Sequence, residues 1–170
     1  KAEQLALQQR LYGVTGEAQV RARFTAAIAA LPRAKGFILA VPSDVGAGFR
    51  RGANLGPQAI RSALHDDAAF SARLQSLGVV DLGDVFVVPQ LLEDDMLSPE
   101  QLSRTRRAVY GDAQAALPVS PLSIARRAVA LALTLNPGLK PFVLGGDHSV
   151  ALPVVQALDA AAPRPWGIVQ

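Results

Sequence analysis

Residues 36–61 read GFILAVPSDVGAGFRRGANLGPQAIR, and the character of the chain changes twice within them. Gly36 to Val41 is a short unbroken apolar run, the composition of a strand buried on both faces. The segment from Pro42 to Pro57 holds four glycines and two prolines. That is too many for regular structure, so a long shaped loop is expected. Gly56-Pro57 then opens a helix over PQAIRSALH, with proline at the first helical position, where its missing N–H does no harm.

The same alternation continues outward. Upstream, GEAQVRARFTAAIAALP (16–32) places Val20, Phe24, Ile28 and Leu31 at helical spacing, and Pro32 ends the run. Downstream, GVVDLGDVFVV (78–88) reads as a second buried strand and its exit. LSPEQLSRTRRAV (97–109) has Ser98 as N-cap, Pro99 after it and Gln101 placed to close a capping box. SPLSIARRAVALALTLNPG (120–138) repeats the start signal at Ser120-Pro121 and stops at Asn136-Pro137-Gly138. PFVLGG (141–146) is a third strand and HSVALPVVQALDAAAP (148–163) a helix. WGIVQ (166–170) reads as a fourth strand. Apolar strands alternating with helices predict an α/β fold, a parallel sheet covered by helices on both faces. No repeat or linker divides residues 1–170, so one domain is expected.

Composition excludes several classes. Half of the 170 residues are apolar and 18% are charged, which argues against disorder. No apolar run reaches the ~18 residues a membrane span needs, and KAEQLALQQR at the start has no signal-peptide core. There is no cysteine, which removes disulfides, thiolate ligands and a cysteine nucleophile; a cytoplasmic location is expected. The net charge of +3 comes from scattered arginine pairs with little aromatic surface between them, unlike a nucleic-acid face.

In open α/β sheets, ligands gather at the carboxyl ends of the strands. At the third strand's end stand Gly145, Gly146, Asp147, His148 and Ser149. The glycines permit a sharp turn or close backbone approach, and Asp147 or Ser149 suits a helix cap. An imidazole at a helix start is favoured in its neutral form, the form a metal needs; a hydrogen bond to a backbone carbonyl is the plainer alternative. GGDHS lacks the third glycine of a dinucleotide loop and the lysine of a phosphate loop. In the first loop, Asp44 is placed to cap a turn, with Arg50 and Arg51 either reaching a carboxylate or simply solvated. Asp81 and Asp84 follow the second strand as turn caps or cation ligands. His65 suits a helix C-terminus.

Together these segments resemble the ureohydrolase family, which includes arginases, agmatinases and related guanidino-group hydrolases. VPSDVGAGFRRGANLGPQAIR is similar to the family's first signature, VVDLGDV to its second-strand segment, and LGGDHSVALPVVQAL to its Gly-Gly-Asp-His-Ser box. The resemblance runs from about Gly36 to Gln170, and the first thirty or so residues match nothing specific.

The resemblance implies an arginase-like three-layer α/β/α fold, incomplete in this chain, and two manganese ions per full-length subunit. His148 would be a ligand of one of them, with Asp147 orienting a neighbouring ligand and Gly145 and Gly146 letting the loop pass close to the metals. Asp44, Arg50 and Gly52 would shape an entrance loop; no catalytic residue is secured within the chain. The implied reaction is hydrolysis of a small guanidino substrate to urea and an amine, closest in pattern to agmatinase (agmatine to putrescine and urea). Arginase, guanidinobutyrate and formiminoglutamate hydrolysis remain open on the same scaffold, as does a non-catalytic fragment or pseudoenzyme acting in assembly. The family's other metal ligands would lie past Gln170. The chain is therefore expected to be truncated, not to stand as an autonomous monomer, and to belong to a homo-oligomer, a trimer or hexamer.

Overall fold

A computed structural model describes residues 2–88, 91–161 and 167–169. Strands β1 (Gly36–Val41), β2 (Val79–Asp84) and β3 (Lys140–Gly145) form one parallel sheet in the order β2-β1-β3. Helices α1 (Ala2–Tyr12) and α2 (Glu17–Ala30) precede it. Helices α3 (Gly56–Asp66) and α4 (Ala68–Ser76) connect β1 to β2, and α5 (Pro99–Tyr110) and α6 (Pro121–Leu135) connect β2 to β3. Helix α7 (Ala151–Ala161) follows a short 3-10 turn, His148–Val150.

The central strand is buried along its whole length, as its unbroken apolar composition demands. Phe37, Leu39 and Val41 face one layer, where they pack with Leu122, Ala125, Val129, Ala132 and Leu133 of α6 and Ala157 of α7. Full burial of each large aliphatic or aromatic side chain is worth about 1.5–3 kcal/mol, so this layer carries most of the core. Ile38 faces the other way, beside Asp81 of β2, and Asp81 is gripped by side chains of α3. Helices thus cover both faces.

The β1–β3 register is regular from Gly36↔Lys140 to Val41↔Gly145. The β1–β2 register slips: Ile38 pairs with Asp81 but Ala40 with Asp84. One extra residue is inserted in β2, a β-bulge. Gly83 adopts φ +82° there, a left-handed conformation that costs glycine little.

Local signals decide most boundaries. Ser98 and Gln101 form the expected capping box: the Gln101 amide donates to Ser98 Oγ at 3.3 Å and the Ser98 amide to Gln101 Oε1 at 2.8 Å. Asn136 ends α6 and ties it down, its Nδ2 donating to Ala34 O at 2.9 Å and Leu31 O at 3.2 Å. Ser120 precedes α6 as expected but does not cap it with its own side chain. Instead the Asp94 carboxylate accepts the Ser120 amide at 2.9 Å, the Val119 amide at 3.1 Å and the Ser120 hydroxyl. A carboxylate from a distant turn replaces the local cap.

Four further expectations change. Helix α4 was not anticipated. Val20 and Leu31 are buried, but Phe24 and Ile28 stay 43% and 36% exposed, lining an apolar trough of about 460 Å³ with Leu131 and Leu135 of α6. Strand β3 is not buried throughout, since Phe142 is exposed and no strand pairs with its outer edge among the described residues. Of the expected fourth strand, Gly167–Val169 take no strand structure, while Trp166 and Gln170 lie outside the described residues. Among the described residues no helix is long and apolar enough to cross a membrane.

Candidate functional site

The carboxyl ends of β1 and β3 lie side by side because Val41 pairs with Gly145. Beyond them the two loops touch through their backbones. The Asp147 amide donates to Ser43 O at 3.2 Å. Gly146 makes this approach possible, since a Cβ at that position would fall 2.2 Å from Ser43 O and 3.1 Å from Asn54 Cα. At Gly145 a Cβ would meet Val150 Cβ at 2.9 Å. Asp147 then caps the 3-10 turn, its Oδ1 accepting the Ser149 amide at 2.9 Å and the Ser149 hydroxyl. His148 sits at the head of that turn with its ring exposed.

Two polar atoms at this junction are buried without a hydrogen-bond partner among the described residues: Asp147 Oδ2 and Ser43 Oγ. Buried polar atoms are nearly always paired, so the two stand out at the junction of the loops.

Asp44 turns inward and closes its loop on itself. The Gly52 amide donates to Asp44 Oδ2 at 2.6 Å. Arg51, rather than Arg50, faces the carboxylate at 3.3 Å and also donates to Val45 O at 3.1 Å; Arg50 is exposed. The Gly52 hydrogen bond does most to hold the Asp44 carboxyl below its usual range, with Arg51 adding to it against the opposing effect of desolvation.

Asp81 and Asp84 neither cap turns alone nor stand open to a cation. Arg61 of α3, fully buried, donates to Asp81 at 3.1 Å from Nε and 2.8 Å from Nη2, and to Asp84 at 2.7 Å from Nη1. The bulge at Gly83 re-aims Asp84 so that both carboxylates reach one guanidinium; in an unbroken strand, residues three apart point to opposite faces. The Gly83 amide donates to Asp81 Oδ1 at 2.8 Å, and His65 Nε2 lies 3.1 Å from Asp81 Oδ2. Helix α1 closes over the cluster, with the Tyr12 hydroxyl 3.4 Å from Asp81 O and Arg10 paired with Asp66 at 2.7 Å. Burial, and then the Asp81 charge, push the Tyr12 phenol up to about 12.

The two carboxyl pKa values shift in opposite directions. Burial pushes Asp81 up, but the His65 contact, the Arg61 charge and the Gly83 amide more than reverse this and leave it lowered. Asp84 is raised, because burial outweighs Arg61 and the Asp81 charge adds to it. Asp81, with its folded pKa depressed, stabilises the fold above its unfolded value of about 3.9, and that contribution is lost as pH falls through the folded value. Ionised Asp84 is disfavoured by folding, a penalty relieved as pH falls through its raised folded value. Asp81→Asn is therefore expected to lower the urea midpoint of the intact protein more than Asp84→Asn at neutral pH, with acid narrowing the gap. Equal midpoints at neutral pH would contradict this assignment.

Of the residues singled out from sequence, the fold gathers Gly145, Gly146, Asp147 and His148 with the root of the Asp44 loop. Asp81, Asp84 and His65 form a separate cluster. Ser43 and Arg61 both lie inside the first signature, but the sequence gave neither a role, since nothing local marks Ser43 as buried or Arg61 as the partner of two carboxylates twenty or more positions away. Among the described residues, no three His, Cys, Asp or Glu side chains converge to hold a metal ion.

Comparison with known proteins agrees with this architecture. A family model described as the arginase family matches residues 34–170, which leaves α1 and α2 outside it. An arginase of Brevibacillus brevis is 36% identical over 117 residues, 68% of this chain and 32% of that protein. A guanidinobutyrase of Pseudomonas aeruginosa is 27% identical over 124 residues, 69% of this chain and 30% of that protein. The chain thus spans about a third of the length of the curated relatives it matches. With a match covering most of its length and the strand-end boxes in their places on the sheet, the chain belongs to the arginase family.

Proposed function

We propose that the protein containing this chain hydrolyses a guanidino compound to urea and an amine, with agmatine as the favoured substrate. The observation that carries the reading is the exposed His148 imidazole on a turn pinned between the carboxyl ends of β1 and β3. Family membership and relatives named arginase and guanidinobutyrase support the chemical class. The agmatine preference rests on the form of the first signature and on the Leu-Pro after the histidine box.

The family implies manganese. The exposed imidazole and the unpaired Asp147 Oδ2 fit the edge of a cation site, not a whole one, because no cage of three donors forms among the described residues. We therefore assign His148 as one donor, completed by residues elsewhere in the intact protein. When bound, a divalent ion of this kind acts as a Lewis acid and makes water nucleophilic near neutral pH. The chain's own part is positional. Asp147 fixes the turn through Ser149, Gly146 brings that turn onto Ser43, and Asp44 with Arg51 and Gly52 shapes the loop beside it. Arg50, exposed on the same loop, is free to meet solvent or substrate. A cytoplasmic homo-oligomer, trimer or hexamer, completes the proposal.

The test is urea release by the intact protein with manganese. Agmatine is expected to yield urea, and His148→Ala to reduce the rate by roughly 100-fold or more, since loss of even an outer partner of a metal ligand costs 10–100-fold. Manganese binding by equilibrium dialysis should weaken in parallel. No urea from agmatine, arginine or guanidinobutyrate would remove the hydrolase reading and favour a non-catalytic role in assembly.

A further inference from the structure

We propose that a second cavity, on the outer helical layer, binds a small organic anion through Arg106, Arg126 and Arg127. The cavity measures about 630 Å³, within the 300–1,000 Å³ typical of small-ligand sites. It lies between α5, α6 and α7, and none of its lining residues belongs to the Ser43 or Asp147 loops. The site is therefore separate from the strand-end site and does not depend on the activity proposed for it.

The arginines keep donors that no described residue engages. Arg106 donates from Nε to Leu117 O at 3.0 Å, which fixes the guanidinium plane and leaves both terminal nitrogens without an acceptor among the described residues. Among the described residues, Arg126 donates only to the neutral Gln156 Oε1, at 3.3 Å. None of the three arginines forms an ion pair among the described residues. Two carboxylates share the wall. Asp94 is engaged by the Val119 and Ser120 amides and the Ser120 hydroxyl, and Asp95 is exposed. The cations outnumber them three to two, and Oδ1 of the deeper acid, Asp94, is already engaged by the Val119 and Ser120 amides and the Ser120 hydroxyl.

Guanidinium groups present a planar fork of donors matched to carboxylate and phosphate oxygens. Between the arginines the wall is apolar, with Leu102, Ala130 and Ala157. The ligand class that fits is a carboxylate or phosphate on a short aliphatic body.

The experiment is calorimetric titration of the intact protein with succinate and, separately, with inorganic phosphate. Saturable binding of either is expected, and whichever binds more tightly identifies the oxyanion. Arg126→Gln should weaken it by about tenfold or more, the scale of one lost hydrogen bond to a charged group. Ala160→Glu, at an exposed position on the rim, should abolish it without disturbing the core, so a folding defect in the arginine variant cannot mask the result. His148→Ala should leave the affinity unchanged. No saturable binding of either anion, or binding indifferent to Arg126→Gln and Ala160→Glu, overturns the proposal, as does binding lost in His148→Ala.

Discussion

Arg61→Leu is expected to destabilise the intact protein by about 3–5 kcal/mol, the usual result of removing one partner from a buried ion pair. The guanidinium is fully buried and engages two carboxylates that are themselves 10% and 4% exposed. Without it, Asp81 and Asp84 would face each other within the fold, with His65 and the Gly83 amide as the remaining partners of Asp81 among the described residues. The damage should spread to α1, whose Tyr12 sits on the Asp81 backbone. The urea midpoint measures the loss. Placing Arg61→Leu in an Asp81→Asn, Asp84→Asn background should recover most of it, because the cost comes from stranded charge and not from lost volume. A single variant within about 1 kcal/mol of the parent, the scale of an exposed ion pair, would show that water or another side chain can take the guanidinium's place.

Gly146→Ala carries the second large effect. Its methyl would enter the space of Ser43 O at 2.2 Å and press on Asn54 Cα at 3.1 Å. Both obstacles are backbone, so no rotamer change relieves the overlap. The turn would have to lift from β1, breaking the Asp147-to-Ser43 hydrogen bond and moving His148. Overpacking of this kind costs about 1–3 kcal/mol, and the upper end is expected because the contact is backbone against backbone. Thermal unfolding reads the stability. If His148 holds manganese as proposed, affinity for that ion reads its displacement and should fall even where the variant remains folded. Gly145→Ala meets Val150, a side chain, and should be the milder of the two. If Gly146→Ala were silent in both measurements, the loops would not be docked as described.

Much of the architecture was legible because it rests on local signals. The apolar run of β1, the capping box at Ser98 and Gln101, and the stop at Asn136 each act within a few residues, and each appears where the pattern placed it. That loops would gather at the carboxyl ends of the strands was legible for a related reason, since a parallel sheet points those ends the same way; that β1 and β3 are neighbours is set by the strand order, which no local signal gives. What escaped reading depends on distance along the chain. The partner of Asp81 and Asp84 lies twenty or more positions earlier, on α3, and nothing in VVDLGDV announces the inserted residue that aims both acids at it. Ser120 looked like a cap because local rules make serine one, but Asp94, from a turn 26 positions away, holds the stronger claim. Phe24 and Ile28 have the spacing of a buried stripe yet remain exposed, since periodicity states which residues share a face and not what that face meets.

The meeting of Ser43, Gly146 and Asn54 has a kinetic consequence. A segment fastened at both ends to the same point has no free arm to swing, so the stretch between Asp44 and Gly52 can breathe only at its crest. Amide hydrogens at Gly52 and Asp147 should exchange with deuterium slowly and in step, opening in one event, while Gly48 to Arg50 exchange fast. Traffic into the site proposed at the strand ends would then be metered by long side chains at that crest and not by hinged closure of the loop.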